Sequence, residues 1–145
     1  MTPYSDPIRM LTEAESWDRL REQELGRLVT HVGDTIDIFP VNYAVYADGI
    51  LFRTAPGTKL FELTVNADVL FEVDSHTDTE AWSVVVRGHA TPLETSADVE
   101  RAETAELRPW IPTLKRVFVR IVPTSVSGRA FARGAEPDRD GPQMY

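Results

Sequence analysis

The chain has 145 residues, which is enough for one domain with a hydrophobic core and too few for two comfortable ones. Its formal net charge of -8 argues against a general nucleic-acid binder or a binder of anionic membranes. Because the sequence contains no cysteine, disulfides, thiolate metal sites and cysteine nucleophiles are excluded, and a cytoplasmic location is expected. No apolar run approaches the length that a bilayer span requires.

The N-terminal region is predicted to form an arm and one helix. Residues 1–10 carry prolines and show no periodicity, which is typical of an arm. Thr12 and Glu15 have the spacing of a capping box, in which the hydroxyl and the carboxylate each satisfy an unpaired amide of the helix start. The apolar spacing that follows predicts a helix to about Leu25, with Gly26 as its natural stop.

Three antiparallel strands are predicted next. Alternation indicates a short strand over residues 27–31 and, after a Gly-Asp turn, a long strand over residues 36–46. Pro40 interrupts the long strand and favours an edge, a bulge or a bend. The segment Ala-Asp-Gly at 47–49 is typical of a tight hairpin turn, so residues 50–54 are expected to return beside the long strand.

The rest of the chain continues with strands and short helices. Residues 134–145 are polar and are expected to form a disordered tail, so one domain over residues 11–133 is predicted. About six antiparallel strands with few helices indicate a mainly β, α+β fold, and a barrel is favoured over a sandwich because closure removes exposed strand edges. The remaining predicted elements are a helix over 58–66, strands over 69–74 and 81–93, a helix over 96–107 and a strand over 116–126.

The turn before helix 58–66 is the most informative segment. A turn that opens a helix presents unpaired backbone N–H groups and the positive end of the helix dipole. Arg53 and Lys59 on either side, with the hydroxyls of Thr54 and Thr58, would add charges and donors, which predicts a site for a phosphate or a similar anion. An ordinary strand–turn–helix with solvated charges is the alternative.

The sequence contains no evident acid, base or nucleophile for catalysis. His31, His76 and His89 lack metal-ligand spacing, and there is no serine elbow, P-loop or dinucleotide-binding motif. Glu72 and Asp74 are expected to face outward rather than to act as a catalytic pair. If the protein is an enzyme, a bound cofactor therefore has to supply the reactivity.

Arg87 is a further candidate for ligand binding. It lies among valines in a strand whose apolar run predicts burial, and a buried arginine requires a partner. Two partners are equally compatible with the sequence, the carboxylate of Glu72 and an anionic ligand. We therefore place Arg87 among the candidate binding residues.

The order of several short segments along the chain carries a family resemblance. These segments are Leu25 to Thr30, Phe39 to Tyr43, Phe52-Arg53-Thr54, Thr58-Lys59, Glu62-Leu63, Asn66, Val69 to Glu72, and Val86 to Ala90. In this order and spacing they resemble the flavin-binding split-barrel superfamily, which includes the pyridoxamine 5'-phosphate oxidases and the flavin- or deazaflavin-dependent oxidoreductases. The resemblance covers roughly residues 11–131.

The resemblance implies a six-stranded antiparallel split barrel that forms a homodimer with the cofactor at the interface. The residues that the resemblance implies are Arg53, Thr54, Thr58 and Lys59 at the cofactor phosphate; Val41, Asn42 and Tyr43 along the ring system; Trp82 and Ser83 near its edge or from the partner subunit; and Trp110 and Arg129 from the second chain. Instead of contacting the cofactor, Trp110 could equally serve simple core or interface packing.

The implied function is an FMN- or deazaflavin-dependent oxidoreductase that transfers hydride to or from a small organic substrate. A haem-type tetrapyrrole is a less favoured cofactor. The basic stretch and the C-terminal substrate-binding segment of true pyridoxamine phosphate oxidases have no counterpart here, so pyridoxal phosphate synthesis is not expected. The alternatives are a non-catalytic binding or storage protein for a flavin, haem or bilin, and a barrel that serves as an interaction surface.

Overall fold

The computed structural model describes residues 8–105 and 117–134, which form seven strands and three short helices. No helix within these ranges is long and apolar enough to cross a membrane. The predictions for residues 1–7, Trp110 and residues 135–145 lie outside the described residues. The elements are β1 (Ile8–Leu11), α1 (Glu13–Arg21), β2 (Leu25–Val32), β3 (Thr35–Tyr46), β4 (Gly49–Thr54), α2 (Thr58–Val65), β5 (Asp68–His76), β6 (Glu80–Pro92), α3 (Ser96–Glu103) and β7 (Val117–Ala132).

Six of the strands close into a ring in which every pair is antiparallel. The hydrogen-bonded order is β1-β7-β4-β3-β2-β5-β6, and β6 pairs back with β7. Closure depends on the 16-residue length of β7, which pairs with β4 at its start, with β1 near its end and with β6 along most of its length. The ring of β2 to β7 confirms the expected mainly β, six-stranded antiparallel barrel.

Two strand segments differ from the prediction. Residues Ile8–Leu11 form β1 where an arm is predicted, and this strand pairs with the end of β7 although three of its four side chains are exposed. Strand β7 also continues to Ala132, past the predicted end at Val126. Gly128 allows this extension, because a Cβ at that position would collide with the side chains of Ser16 and Leu11.

Helix α1 confirms the predicted capping box but ends earlier than predicted. The hydroxyl of Thr12 accepts from the amide of Glu15 at 3.1 Å, and Oε1 of Glu15 accepts from the amide of Thr12 at 3.0 Å. The helix ends at Arg21, and Gly26, its predicted stop, lies inside β2. A Cβ on Gly26 would overlap the ring of Phe71, so this glycine permits close strand packing and does not stop the helix.

The hydrophobic core fills the interior of the ring, and helices pack near both ends of β2. The hydroxyl of Tyr43 donates to the carbonyl of Leu20 at 2.6 Å and attaches α1 to β3. A second, smaller cluster of Leu51, Ala102 and Phe118 lies outside the ring, where α3 covers β4. The largest fully buried side chains of the interior are Phe52, Phe71, Leu20, Leu28, Ile50, Leu63 and Ile121.

Candidate functional site

The junction between β4 and α2 is a helix start without a side-chain cap. Gly57 precedes the helix in an extended conformation, and the first turn contains no acidic residue. A helix start of this kind directs backbone N–H groups outward, and the helix dipole adds positive potential at the same point. Thr58 is exposed beside these donors. The junction is therefore suited to bind an anion.

Two cationic side chains flank this junction, and each packs on an aromatic ring. The guanidinium carbon of Arg53 lies 5.6 Å from the centre of the Phe118 ring, and the ammonium of Lys59 lies 5.5 Å from the centre of the Phe39 ring. Within residues 8–105 and 117–134, the ion pairs do not include Arg53. The charge of Arg53 is therefore uncompensated by any described carboxylate, in a strongly acidic chain.

Thr54 is placed differently from the other three predicted phosphate ligands. Its side chain is only 4% exposed, and its hydroxyl donates to the carbonyl of Ala55 at 3.2 Å. Neighbouring residues on a strand point to opposite faces, so Thr54 faces the interior and Arg53 faces outward. A contact between Thr54 and an anion at the junction would have to come from its backbone.

The segment predicted to lie along the cofactor ring alternates between the core and the outer face. Val41 and Tyr43 are buried, and burial raises the pKa of Tyr43 well above its ordinary value. Asn42 is half-buried on the outward side, and its amide nitrogen donates to the carbonyl of Glu24 at 3.3 Å. Of these three residues, Asn42 alone offers its side chain to the outer surface.

The other predicted site residues lie on β6 and near the end of β7. Thr54 pairs with Val117 at the start of β7, whereas Ser83 pairs with Arg129, twelve residues further along the same strand. Around the ring, Asn42 pairs with Leu25 on β2, and Ser83 pairs with Asp74 on β5, the strand next to β2. Trp82, next to Ser83, is buried, and the guanidinium carbon of Arg19 lies 5.8 Å from its ring centre.

The prediction that Arg87 is buried is wrong. Its side chain is exposed on the outward face of β6, because the inward positions on either side of it are taken by Val86 and Gly88. Glu72 pairs with a different arginine: Nη1 of Arg27 lies 2.8 Å from Glu72 and 2.8 Å from Asp74. The outward orientation of the two carboxylates is confirmed, and burial raises the pKa of Glu72 to about 7, with Asp74 adding to the effect.

Sequence reasoning missed a polar cluster beneath α2. Glu62 is 7% exposed, and its Oε2 accepts a hydrogen bond of 2.7 Å from the hydroxyl of buried Thr30. Asp37 is the cross-strand partner of Thr30, and its nearby carboxyl raises the pKa of the same glutamate. The available signal was the position of Glu62 next to Leu63, on the side of the helix that the apolar spacing turns toward the core.

The structure as a whole defines a split barrel: a closed antiparallel ring with an uncapped helix start at a strand–helix junction. A family model described as pyridoxamine 5'-phosphate oxidase matches residues 12–130. The chain therefore belongs to the pyridoxamine 5'-phosphate oxidase family, which confirms the resemblance seen in the sequence.

Several solved structures have the same fold over most of their length. A protein of Corynebacterium glutamicum is 47% identical with a TM-score of 0.85, and the match covers 92% of this chain and 99% of the other. A FAD binding protein from Mycobacterium smegmatis is 44% identical with a TM-score of 0.75, covering 85% and 98% of the two chains. A FAD-binding protein of Mesorhizobium loti is 26% identical with a TM-score of 0.76, covering 85% and 97%.

Proposed function

We propose that this chain binds a flavin or deazaflavin through its phosphate and acts as an oxidoreductase on a small organic substrate. The names of the relatives from Mycobacterium smegmatis and Mesorhizobium loti support a flavin as the cofactor. They add FAD to the expected FMN and deazaflavin. FMN, FAD and the deazaflavin cofactor each carry a phosphate group on the chain attached to their ring system, so one anion site accommodates any of them.

One observation carries the proposal, namely the uncapped start of α2 beside a cation that no described carboxylate neutralises. The backbone donors of the first turn, the hydroxyl of Thr58 and the guanidinium of Arg53 offer charge-assisted hydrogen bonds to a phosphate. Lys59 adds a second cation whose position is restricted by its contact with Phe39. The strand–turn–helix thus provides donors and positive charge without an acidic residue in the first turn.

A homodimer is part of the proposal because the family resemblance implies a cofactor bound at the interface between two copies. Ser83 and Arg129 are cross-strand partners on β6 and β7, and in this arrangement they would contact the cofactor from the second copy. Large apolar side chains near α2 support such a contact. They are Ile36 and Ile38 on the outward side of β3, and Phe61 and Val65 one turn apart on α2, with exposed fractions from 55% to 68%.

The protein's part in the reaction is to bind, orient and exclude water. A bound flavin or deazaflavin would supply hydride transfer to or from the substrate. At the junction the chain contributes Arg53, Thr58 and Lys59, which hold an anion and have no role as a general base at neutral pH. The apolar side chains on α2 and β3 would shield the ring from water once the second copy covers them.

The experiment is a cofactor titration followed by a turnover test. The purified protein is first examined for a visible spectrum and then titrated separately with FMN, FAD, a deazaflavin and haem. Binding of a flavin that an electron donor reduces and an organic acceptor reoxidises would support the oxidoreductase. Tight binding without turnover would favour a storage protein, and no binding of any of the four would refute the proposal.

A further inference from the structure

A groove on the outer face of the barrel has no role in the proposed function. It has a volume of about 610 Å³ and is lined by residues of β2, β5, β6 and β7. Asn66, which follows the last residue of α2, also lines it, so the groove borders the end of that helix and not its start. Ligand pockets in proteins typically measure about 300–1,000 Å³, so this groove is large enough for a small organic molecule.

The floor of the groove is apolar and ends at an arginine. Leu70 on β5 pairs with Val29 on β2 and with Arg87 on β6. Cross-strand partners share a face of the sheet, so these three side chains form one outward row. Val29 and Leu70 are half-buried, Arg87 is exposed, and Ile36 on β3 forms an apolar rim. The row therefore places a guanidinium group at one side of an apolar surface.

Arg87 has no carboxylate partner in the described part of the chain. The sequence left two candidate partners, the carboxylate of Glu72 and an anionic ligand, and the structure pairs Glu72 with Arg27 at 2.8 Å. Within residues 8–105 and 117–134, the ion pairs do not include Arg87. Of the two candidates, an anionic ligand is therefore the one that the structure leaves open.

The carboxylate among the described lining residues, that of Asp68, contacts a histidine instead of Arg87. Its Oδ1 lies 2.6 Å from Nδ1 of His89 on the neighbouring strand. Because Nδ1 is engaged in this contact, Nε2 is the ring nitrogen that His89 has left for a ligand. A second imidazole, that of His31 on β2, also lines the groove. The polar groups around Arg87 are thus mostly neutral or already paired.

A β-bulge lies directly at Arg87. Arg87 pairs with Ser125 and Gly88 pairs with Pro123, so Thr124 is an extra residue on β7 without a partner on β6. The hydroxyl of Thr124 donates to the backbone carbonyl of Arg87 at 3.2 Å, and Thr124 itself lines the groove. Bulges change the direction of side chains and are frequent next to functional sites. The bulge therefore sets the backbone position from which Arg87 borders the groove.

We propose that this groove is a second binding site, for a small carboxylate with an apolar body, separate from the site of the cofactor phosphate. Arg87 pairs with the carboxylate through charge-assisted hydrogen bonds, and the apolar body covers Val29 and Leu70. A singly charged carboxylate fits better than a phosphate. The groove offers one arginine, and it borders the C-terminal end of α2, where the helix dipole opposes negative charge. The proposal does not depend on flavin binding.

An NMR titration of the full chain without flavin tests the ligand class. The probes are acetate, butyrate and hexanoate, with hexanamide as an uncharged match for hexanoate. Hexanoate should shift the backbone amide signals of residues 68–70 and 87–89, which line the groove. The affinity should rise from acetate to hexanoate by up to about fourfold for each CH₂ group that is buried, and hexanamide should bind about tenfold or more weakly than hexanoate. Equal affinity for hexanoate and hexanamide, or no gain along the series, would overturn the proposal.

Two arginine variants locate the site. In Arg87→Met the dissociation constant for hexanoate should rise about tenfold or more, because the charge is removed from an exposed side chain that the fold does not need. Arg53→Met is the matched control, since it removes a cation at the start of α2 and should leave hexanoate binding unchanged.

Three results would overturn the proposal: unchanged hexanoate binding in Arg87→Met, weaker FMN binding in that variant, or a change of its oligomeric state in sedimentation. The second would assign Arg87 to the cofactor site and the third to a subunit contact. If hexanoate binds as expected but neither FMN nor FAD does, the proposed function fails and the second site stands.

Discussion

Arg53→Met is the substitution that tests the anion site most directly. Methionine keeps a long apolar side chain that can lie on the Phe118 ring, but it removes the positive charge. No described carboxylate pairs with Arg53, so within residues 8–105 and 117–134 the substitution leaves no acidic group without its partner. The main effect should therefore fall on ligand binding and not on the fold.

The expected magnitudes separate a binding defect from a folding defect. A hydrogen bond between charged groups contributes about 1.5–3 kcal/mol, so the dissociation constant for FMN should rise about 10- to 150-fold. Loss of the cation–π contact at this half-buried position costs about 0.5–1 kcal/mol. The free energy of unfolding should therefore fall by no more than about 1 kcal/mol.

The assay is FMN titration by fluorescence quenching, with urea unfolding measured on the same samples. Arg21→Met is the control, because Arg21 is an exposed arginine of α1 that pairs with Asp18, and α1 lies at the other end of β2 from α2. Arg53→Lys should recover part of the affinity, since it restores the charge without the planar fork. Normal FMN affinity in a folded Arg53→Met protein would refute the proposed position of the phosphate.

Three further predictions concern stability. Gly26→Ala should lower the free energy of unfolding, measured in urea, by about 1–3 kcal/mol, because the new methyl group meets the Phe71 ring. Gly57→Ala is the comparison and should leave the free energy of unfolding unchanged, since no atom lies within 4 Å of a Cβ at that position. The ordinary pKa of Glu72 is 4.5, and in the folded protein it is raised to about 7. Protonated Glu72 therefore contributes stability that is fully present below about pH 4.5 and is lost as the pH rises through about 7. Glu72→Gln should therefore flatten the fall in unfolding free energy between these two pH values. Thr12→Ala should cost about 1 kcal/mol in thermal or urea unfolding through loss of the N-cap, and an unchanged midpoint would contradict that role.

Features that depend on close neighbours along the chain were predictable from the sequence. The hairpin between β3 and β4 forms as expected, with Ala47 and Asp48 at φ angles of 47° and 59°. The start of α2 at Thr58 also agrees with the prediction. Both depend on backbone preferences and on hydrogen bonds within a few residues, and such interactions can be inferred before the partner strands are known.

Burial was the property that the sequence did not predict reliably. An apolar run around Arg87 indicated a covered strand, but alternation gives only the period of the side chains and not which face is covered. Arg87 consequently proved exposed, while Glu62 proved buried. Glu62 is buried because Thr30 and Asp37, from strands distant in the chain, lie against it.

The sequence by itself determined the hairpin turn, the helix cap and the strand–helix junction that carries Arg53 and Lys59. Only the tertiary structure decided that β7 closes the ring, that Arg129 lies at the far end of this strand from the junction, and that Glu62 meets a second carboxyl group. The physical reason is that register between distant strands determines which groups are removed from water. Desolvation and charge proximity, in turn, determine their pKa values and their partners.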